Sequence, residues 1–137
     1  MDSRSIPVLV IGLSAPESGE LRAILRPPQW EIYEAAAGEE AAHLLDQRSI
    51  PVAICDDQRA GDWQALLCDW QRRLNPPHLI VSSRRADERL WAEVLNLGAY
   101  DLLAQPFDPN EVLRVAGAAC RAWNAQDCRP NVLKTHA

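Results

Sequence analysis

Two doublets stand where this chain could do chemistry. Asp56-Asp57 closes the apolar run Val52–Cys55, and Ser82-Ser83 closes the run Leu79–Val81. A carboxylate at a strand end becomes a working group only when partner charges support it; otherwise it is a plain surface acid. Arg59 follows the aspartates, and Arg84 and Arg85 follow the serines. Any of the three could set a fixed positive charge beside Asp56, and the plainer alternative is a solvated cluster at a helix entry. Asp57 should point away from Asp56, because side chains alternate along a strand, and is expected in solvent. The stretch Gly12–Ser18 is rich in small and hydroxyl residues before a helix start, where anions can dock, but it lacks the glycine spacing of a nucleotide loop. His43 and His78 have no acid partner at motif spacing and read as structural. Cys55, Cys68, Cys120 and Cys128 lack paired C-x-x-C spacing, so they read as reduced thiols, with Cys55 in the core and none holding a metal.

The elements that must position these groups alternate along the chain. Val8–Ile11, Trp30–Glu34, Val52–Cys55, Leu79–Val81 and Asp101–Ala104 read as strands. Pro16–Leu25, Gly38–Arg48, Trp63–Leu74, Ala86–Leu97 and Pro109 to about Trp123 read as helices. Pro27-Pro28 and Pro76-Pro77 end two of the helices, Gly98 suits the residue just past a helix end, and Pro109 suits the first helical position. Among the tryptophans, Trp91 lies off the apolar face of its helix and is expected at the surface, where aromatic residues favour interfaces. The pattern is (βα)5, an α/β doubly wound parallel five-stranded sheet with helices on both faces. Ligands of such sheets bind outside the carboxyl ends of the strands, here the loops after Ile11, Cys55, Val81 and Ala104.

Composition narrows the function classes. The 137 residues suggest one domain over 1–123, with a loosely ordered tail over 124–137. A net charge of −5 argues against a nucleic-acid binder. No apolar run is long enough to span a membrane, and Met1–Ile6 carries no signal segment, so a cytoplasmic location is expected. The only lysine is Lys134, so a mechanism needing a lysine inside the fold is unavailable.

With these residues in place, the sequence resembles a CheY-like receiver domain of two-component response regulators, over about Ile6 to Trp123. The most specific stretch is LGAYDLLAQPFDPNEVLRVA, Leu97 to Ala116. It is similar to the family signature G-A-x-D-[YF]-[LI]-x-K-P-F-[DS], with Gln105 at the lysine. PVAICDD resembles the strand that ends in the phosphoacceptor, placing that residue at Asp56, and PPHLIVSS resembles the strand that ends in the Ser/Thr, placing it at Ser82. The resemblance implies a flavodoxin-like receiver fold and a carboxylate cluster holding Mg²⁺. It also implies a lysine, and a Ser/Thr that draws an aromatic residue inward after phosphoryl transfer.

The chain departs from that pattern at three functional positions, the acidic pair counted as one. Gly12 and Leu13 replace the metal-binding acids, Gln105 replaces the lysine, and Leu102 stands at the aromatic switch position. Mg²⁺ needs oxygen ligands, so its binding is expected to be weak or absent, with no other cofactor and no enzymatic activity. The expectation is a stand-alone pseudo-receiver in phosphorelay-type signalling, with a degenerate pocket and no output domain. It would act by phosphorylation-independent protein contact through the last two helices and fifth strand. Its partner would be a histidine kinase or a downstream regulator, or a second copy of the chain. The alternatives are a weak phosphoacceptor at Asp56, phosphorylated by a histidine kinase, and a flavodoxin-like anion or nucleotide binder at Gly12–Ser18.

Overall fold

The computed structural model describes residues 5–57 and 63–128. It contains strands β1 (Ile6–Ile11), β2 (Trp30–Ala35), β3 (Val52–Asp56), β4 (His78–Ser83) and β5 (Asp101–Ala104). Helices α1 (Ala15–Ile24), α2 (Gly38–Gln47), α3 (Trp63–Trp70), α4 (Glu88–Asn96) and α5 (Pro109–Cys128) alternate with them. All strand pairs are parallel, in the order β2-β1-β3-β4-β5. The order reverses direction after β1, which sets β3 at the centre and brings the ends of β1, β3 and β4 together.

The alternation of side chains along the strands divides the core in two. Leu9, Ile11, Ala53, Cys55, Leu79, Val81 and Leu102 pack toward α2, α3 and α4, with Trp63, Leu66, Trp70 and Val94. Val8, Val10, Val52, Ile54, Ile80 and Leu103 pack toward α1 and α5, with Leu21, Leu25, Val112, Val115 and Ala116. Strands covered on both faces explain the unbroken apolar runs of the sequence. Each fully buried Leu, Ile or Val contributes about 1.5–3 kcal/mol from removal of its surface from water.

Local signals account for several helix ends. Asp87 caps α4 by accepting from the Leu90 N–H at 2.9 Å. Gly98 just past α4 has φ 107, a conformation that costs glycine little. Helix α3 is shorter than the sequence pattern, which extends the helix to Leu74. The chain leaves the helix at Trp70 and passes through Asn75 at φ 54, leaving Leu74 93% exposed rather than inward. Helix α5 runs to Cys128, beyond the expected end near Trp123, and the Trp123 indole N–H donates to the Pro76 carbonyl at 3.0 Å. Of the five tryptophans, Trp30, Trp63 and Trp70 are buried, Trp123 is half-buried, and Trp91 is 49% exposed, on the surface of α4 as its spacing predicts.

Candidate functional site

The strand ends at the centre of the sheet carry the candidate site. In register, Asp56 lies opposite Ser82, and Ser82 lies opposite Leu103. Asp56 continues the alternation of Val52 and Ile54, so it points to the α1–α5 face, and it is 7% exposed. Ser82, fully buried, follows Ile80 onto the same face. Gln105 follows Leu103 there. The structure therefore brings together Asp56, Ser82 and Gln105, the three polar positions inferred from sequence.

Side-chain hydrogen bonds lace these ends. Gln105 Nε2 donates to Ser82 Oγ at 2.9 Å, and Ser82 Oγ donates to the Cys55 carbonyl at 3.3 Å. The serine hydroxyl thus uses its single proton on β3 while one of its lone pairs serves Gln105. Next door, Ser83 Oγ donates to Asp57 Oδ2 at 2.9 Å and accepts from the Arg85 N–H at 2.9 Å. Asp57 is thus not a solvated acid, as its position suggested. It is half-buried, and its backbone N–H donates to the Ser82 carbonyl at 2.9 Å. The alternation that turns Asp57 away from Asp56 turns Ser83 the same way, so the two doublets form one pair on each face.

The first loop has its own physical logic. Gly12 has φ 70, and its N–H donates to the Ala35 carbonyl at 2.9 Å. This left-handed conformation favours glycine and strains most other residues. Leu13 packs, partly buried, against the α1–α5 core. Ser14 then caps α1 in a capping box. The Glu17 N–H donates to Ser14 Oγ at 3.3 Å, and the Ser14 N–H donates to Glu17 Oε1 at 3.1 Å. The helix start proposed for an anion is therefore met by the chain's own carboxylate.

Glu17 is the acid that the sequence reading missed. Its side chain is 8% exposed, and its Oε2 accepts from Arg84, the Nη2 lying 3.4 Å away. The S-x-x-E spacing of Ser14 to Glu17 signals the capping box, but nothing local in sequence signals Arg84, 67 residues away. Of the three arginines considered as fixed charges, Arg84 is in this ion pair, Arg85 is exposed, and Arg59 lies outside the described residues.

Leu102, which the resemblance places at the switch position, is buried against the α2–α4 side of the core. It has no polar group with which to alternate between an inward slot and solvent. Burial, with Asp56 and Asp57 adding negative charge nearby, pushes the Cys55 thiol well above its ordinary pKa, so it is a core group and no nucleophile. Cys68 and Cys120 are likewise free thiols. His78 is half-buried, stacked on Tyr100 with ring centroids 5.2 Å apart. The residues present do not fit a Mg²⁺ site of the kind the fold suggests. Gly12 and Leu13 offer no side-chain oxygen, and no group of three or more His, Cys, Asp or Glu side chains converges among the described residues. No described helix is long and apolar enough to cross a membrane.

Comparisons with known proteins agree on the architecture. No protein-family model matches the sequence, and no curated protein matches it. Solved structures do match. The signal receiver domain of an HD domain-containing protein from Pseudomonas fluorescens Pf-5 superposes with a TM-score of 0.76 at 22% identity, covering 89% of this chain and 99% of that one. The chemotaxis response regulator CheY4 of Vibrio cholerae gives 0.73 at 18%, covering 85% and 99%. The beryllofluoride-activated NtrC4 receiver domain dimer gives 0.76 at 21%, covering 85% and 98%. The chain therefore has the receiver fold, (βα)5 with a flavodoxin-like sheet.

Proposed function

We propose that this chain is an atypical receiver of two-component signalling that works by protein contact, without phosphorylation. The observation that carries this reading is the state of Ser82. In phosphoryl signalling a hydroxyl at this place must move to the new phosphoryl group. Here it already holds the Cys55 carbonyl and Gln105. Gln105 carries no charge to neutralise phosphoryl oxygens. Gly12 and Leu13 supply no metal ligand, and Leu102 is packed in the core. A ligand shifts a two-state element only by its differential affinity for the two states, and this pocket gives a phosphoryl group little to bind.

The contact surface in this reading is α4, β5 and α5, where Trp91 on α4, Leu97 at its C-terminal cap and Leu113 on α5 are exposed large apolar side chains. Its partner is a histidine kinase or a downstream regulator, and pairing of two copies through α4 and α5 is the third arrangement. In this proposal one domain extends to the end of α5 at Cys128, past the boundary expected at 123, and acts in the cytoplasm with no enzymatic activity of its own. A weak phosphoacceptor is the second reading, favoured by one observation: Asp56 is retained at the end of β3, in register with Ser82.

The deciding experiment is an amide NMR spectrum with and without Mg²⁺ and beryllofluoride. The proposal expects no shifts beyond those of a Mg²⁺ control. Saturable shifts running from Asp56 through Ser82 to Leu102 and α5, and lost in Asp56→Asn, would establish the phosphoacceptor reading instead. Trp91→Ala then tests the surface: partner binding or self-association should fall while thermal stability holds.

A further inference from the structure

One ion pair at the rim of the pocket joins elements that are distant in sequence. Arg84 follows β4, and Glu17 lies in the first turn of α1, which follows β1. In the sheet, β1 and β4 flank β3. The pair therefore links the two neighbours of β3 on the face toward which Asp56 points. Strands are spaced about 4.8 Å apart, so the Arg84 side chain reaches across roughly two spacings.

The two ends of the pair differ in kind. Arg84 is 74% exposed, whereas Glu17 is 8% exposed. Arg22–Glu34, by contrast, has both partners about half in solvent, at 53% and 45%. Exposed pairs of that sort are screened and contribute little. A carboxylate held out of water depends more on the charge beside it. Glu17 is also fixed in place by the capping box, so it is a rigid post to which Arg84 attaches.

The same loop is tied on its other face. Ser83 Oγ bridges Asp57 and the Arg85 N–H. Two residues later the Asp87 cap begins α4, the helix that exposes Trp91. Residues 83–85 are thus held from both faces of the sheet, immediately before the helix of the contact surface.

We infer that the Glu17–Arg84 pair is a built-in strap that sets the β4–α4 loop, and with it the start of α4, in a single conformation. Arg84 is a positioning residue in this scheme: it acts through the loop. The inference rests on the phosphorylation-independent reading, because it gives the loop an internal tether in place of a phosphoryl signal.

The test uses the full ¹⁵N-labelled chain with no metal or phosphoryl mimic. Arg84→Gln removes the charge on one side. Glu17→Gln removes it on the other while keeping a residue that can complete a capping box. Each variant should shift the amides of residues 83–90 and the Trp91 indole N–H in the same direction, and the double variant should add nothing further. Arg84→Lys should restore most of the native spectrum, and 1 M salt should move the native protein toward the variants. Shifts confined to the substituted residue and its immediate neighbours would overturn the strap, as would additive effects in the double variant. Beryllofluoride added to the native protein is a separate arm. A response there sinks the phosphorylation-independent reading, while the variant spectra recorded without it still decide the strap.

Discussion

Gln105 and Ser82 meet through an Nε2–Oγ hydrogen bond of 2.9 Å that ties the end of β5 to the end of β4. A neutral amide here does structural work that needs no charge. It orients the serine hydroxyl toward the Cys55 carbonyl and so fixes three strand ends at once. Gln105→Ala should lower stability by about 1 kcal/mol, the net contribution of one such bond. Ser82→Ala should cost a similar amount, and the double variant less than the sum of the two. Chemical denaturation of the four proteins measures the coupling; strict additivity would show that the bond is not formed in solution.

The first loop can be given back its acids. Gly12→Asp combined with Leu13→Asp adds two oxygen donors near Asp56. The protein should be destabilised without metal, for three reasons. Position 12 sits at φ 70, the apolar packing of Leu13 is lost, and clustered carboxylates repel one another. Millimolar Mg²⁺ should then raise the melting temperature of the double variant and leave the native protein unchanged. A native protein stabilised by Mg²⁺ to the same extent would contradict the account of the loop.

Leu102 offers a cleaner separation of packing from signalling. It is buried among Val81, Val94 and Ala99 in the same core cluster. Leu102→Ala should cost about 2–4 kcal/mol, the range for cavities of this size in a packed core. The spectrum in the presence of beryllofluoride should remain that of the variant alone. Recovery of a beryllofluoride response on truncation would mean that Leu102 blocks a switch that still exists.

His78 gives the fold a pH dependence of defined sign. Burial lowers its pKa below the ordinary 6.5, so the unfolded chain binds the proton more readily. Stability should therefore fall as pH drops below 6.5 toward the lower folded value, and be fully present above 6.5. His78→Phe, which keeps a ring to stack on Tyr100, should flatten that part of the curve. A slope unchanged by the substitution would assign it to other groups.

The architecture was legible because β-strands buried on both faces leave unmistakable runs, and because prolines and Gly98 punctuate the helices. Helix α3 was overextended because Leu74 continues the apolar spacing, although the backbone has already left the helix after Trp70. In the site, Asp56, Ser82 and Gln105 were singled out by the resemblance of their strand-end motifs to the receiver family, and the parallel register brings these three strand ends together. Glu17 was not, since its importance comes from burial and from a partner on the other side of β3. Asp57 was misjudged for a related reason. Alternation gave its direction correctly, but the direction led to Ser83 and not to water.

The late position of α5 has a consequence for synthesis on the ribosome. Helix α5 supplies Val112, Val115, Ala116, Ala119 and Cys120 to the core on one side of the sheet. Until those residues emerge, α1 alone covers Val8, Val10, Val52, Ile54 and Ile80, and a nascent chain carries a half-uncovered apolar sheet. The bond from Trp123 to Pro76, spanning 47 positions, closes only after nearly all of the described chain has been made. That side of the core is therefore complete only once α5 has been made, and α5 acts as the latch that ends exposure of the sheet to chaperones and proteases.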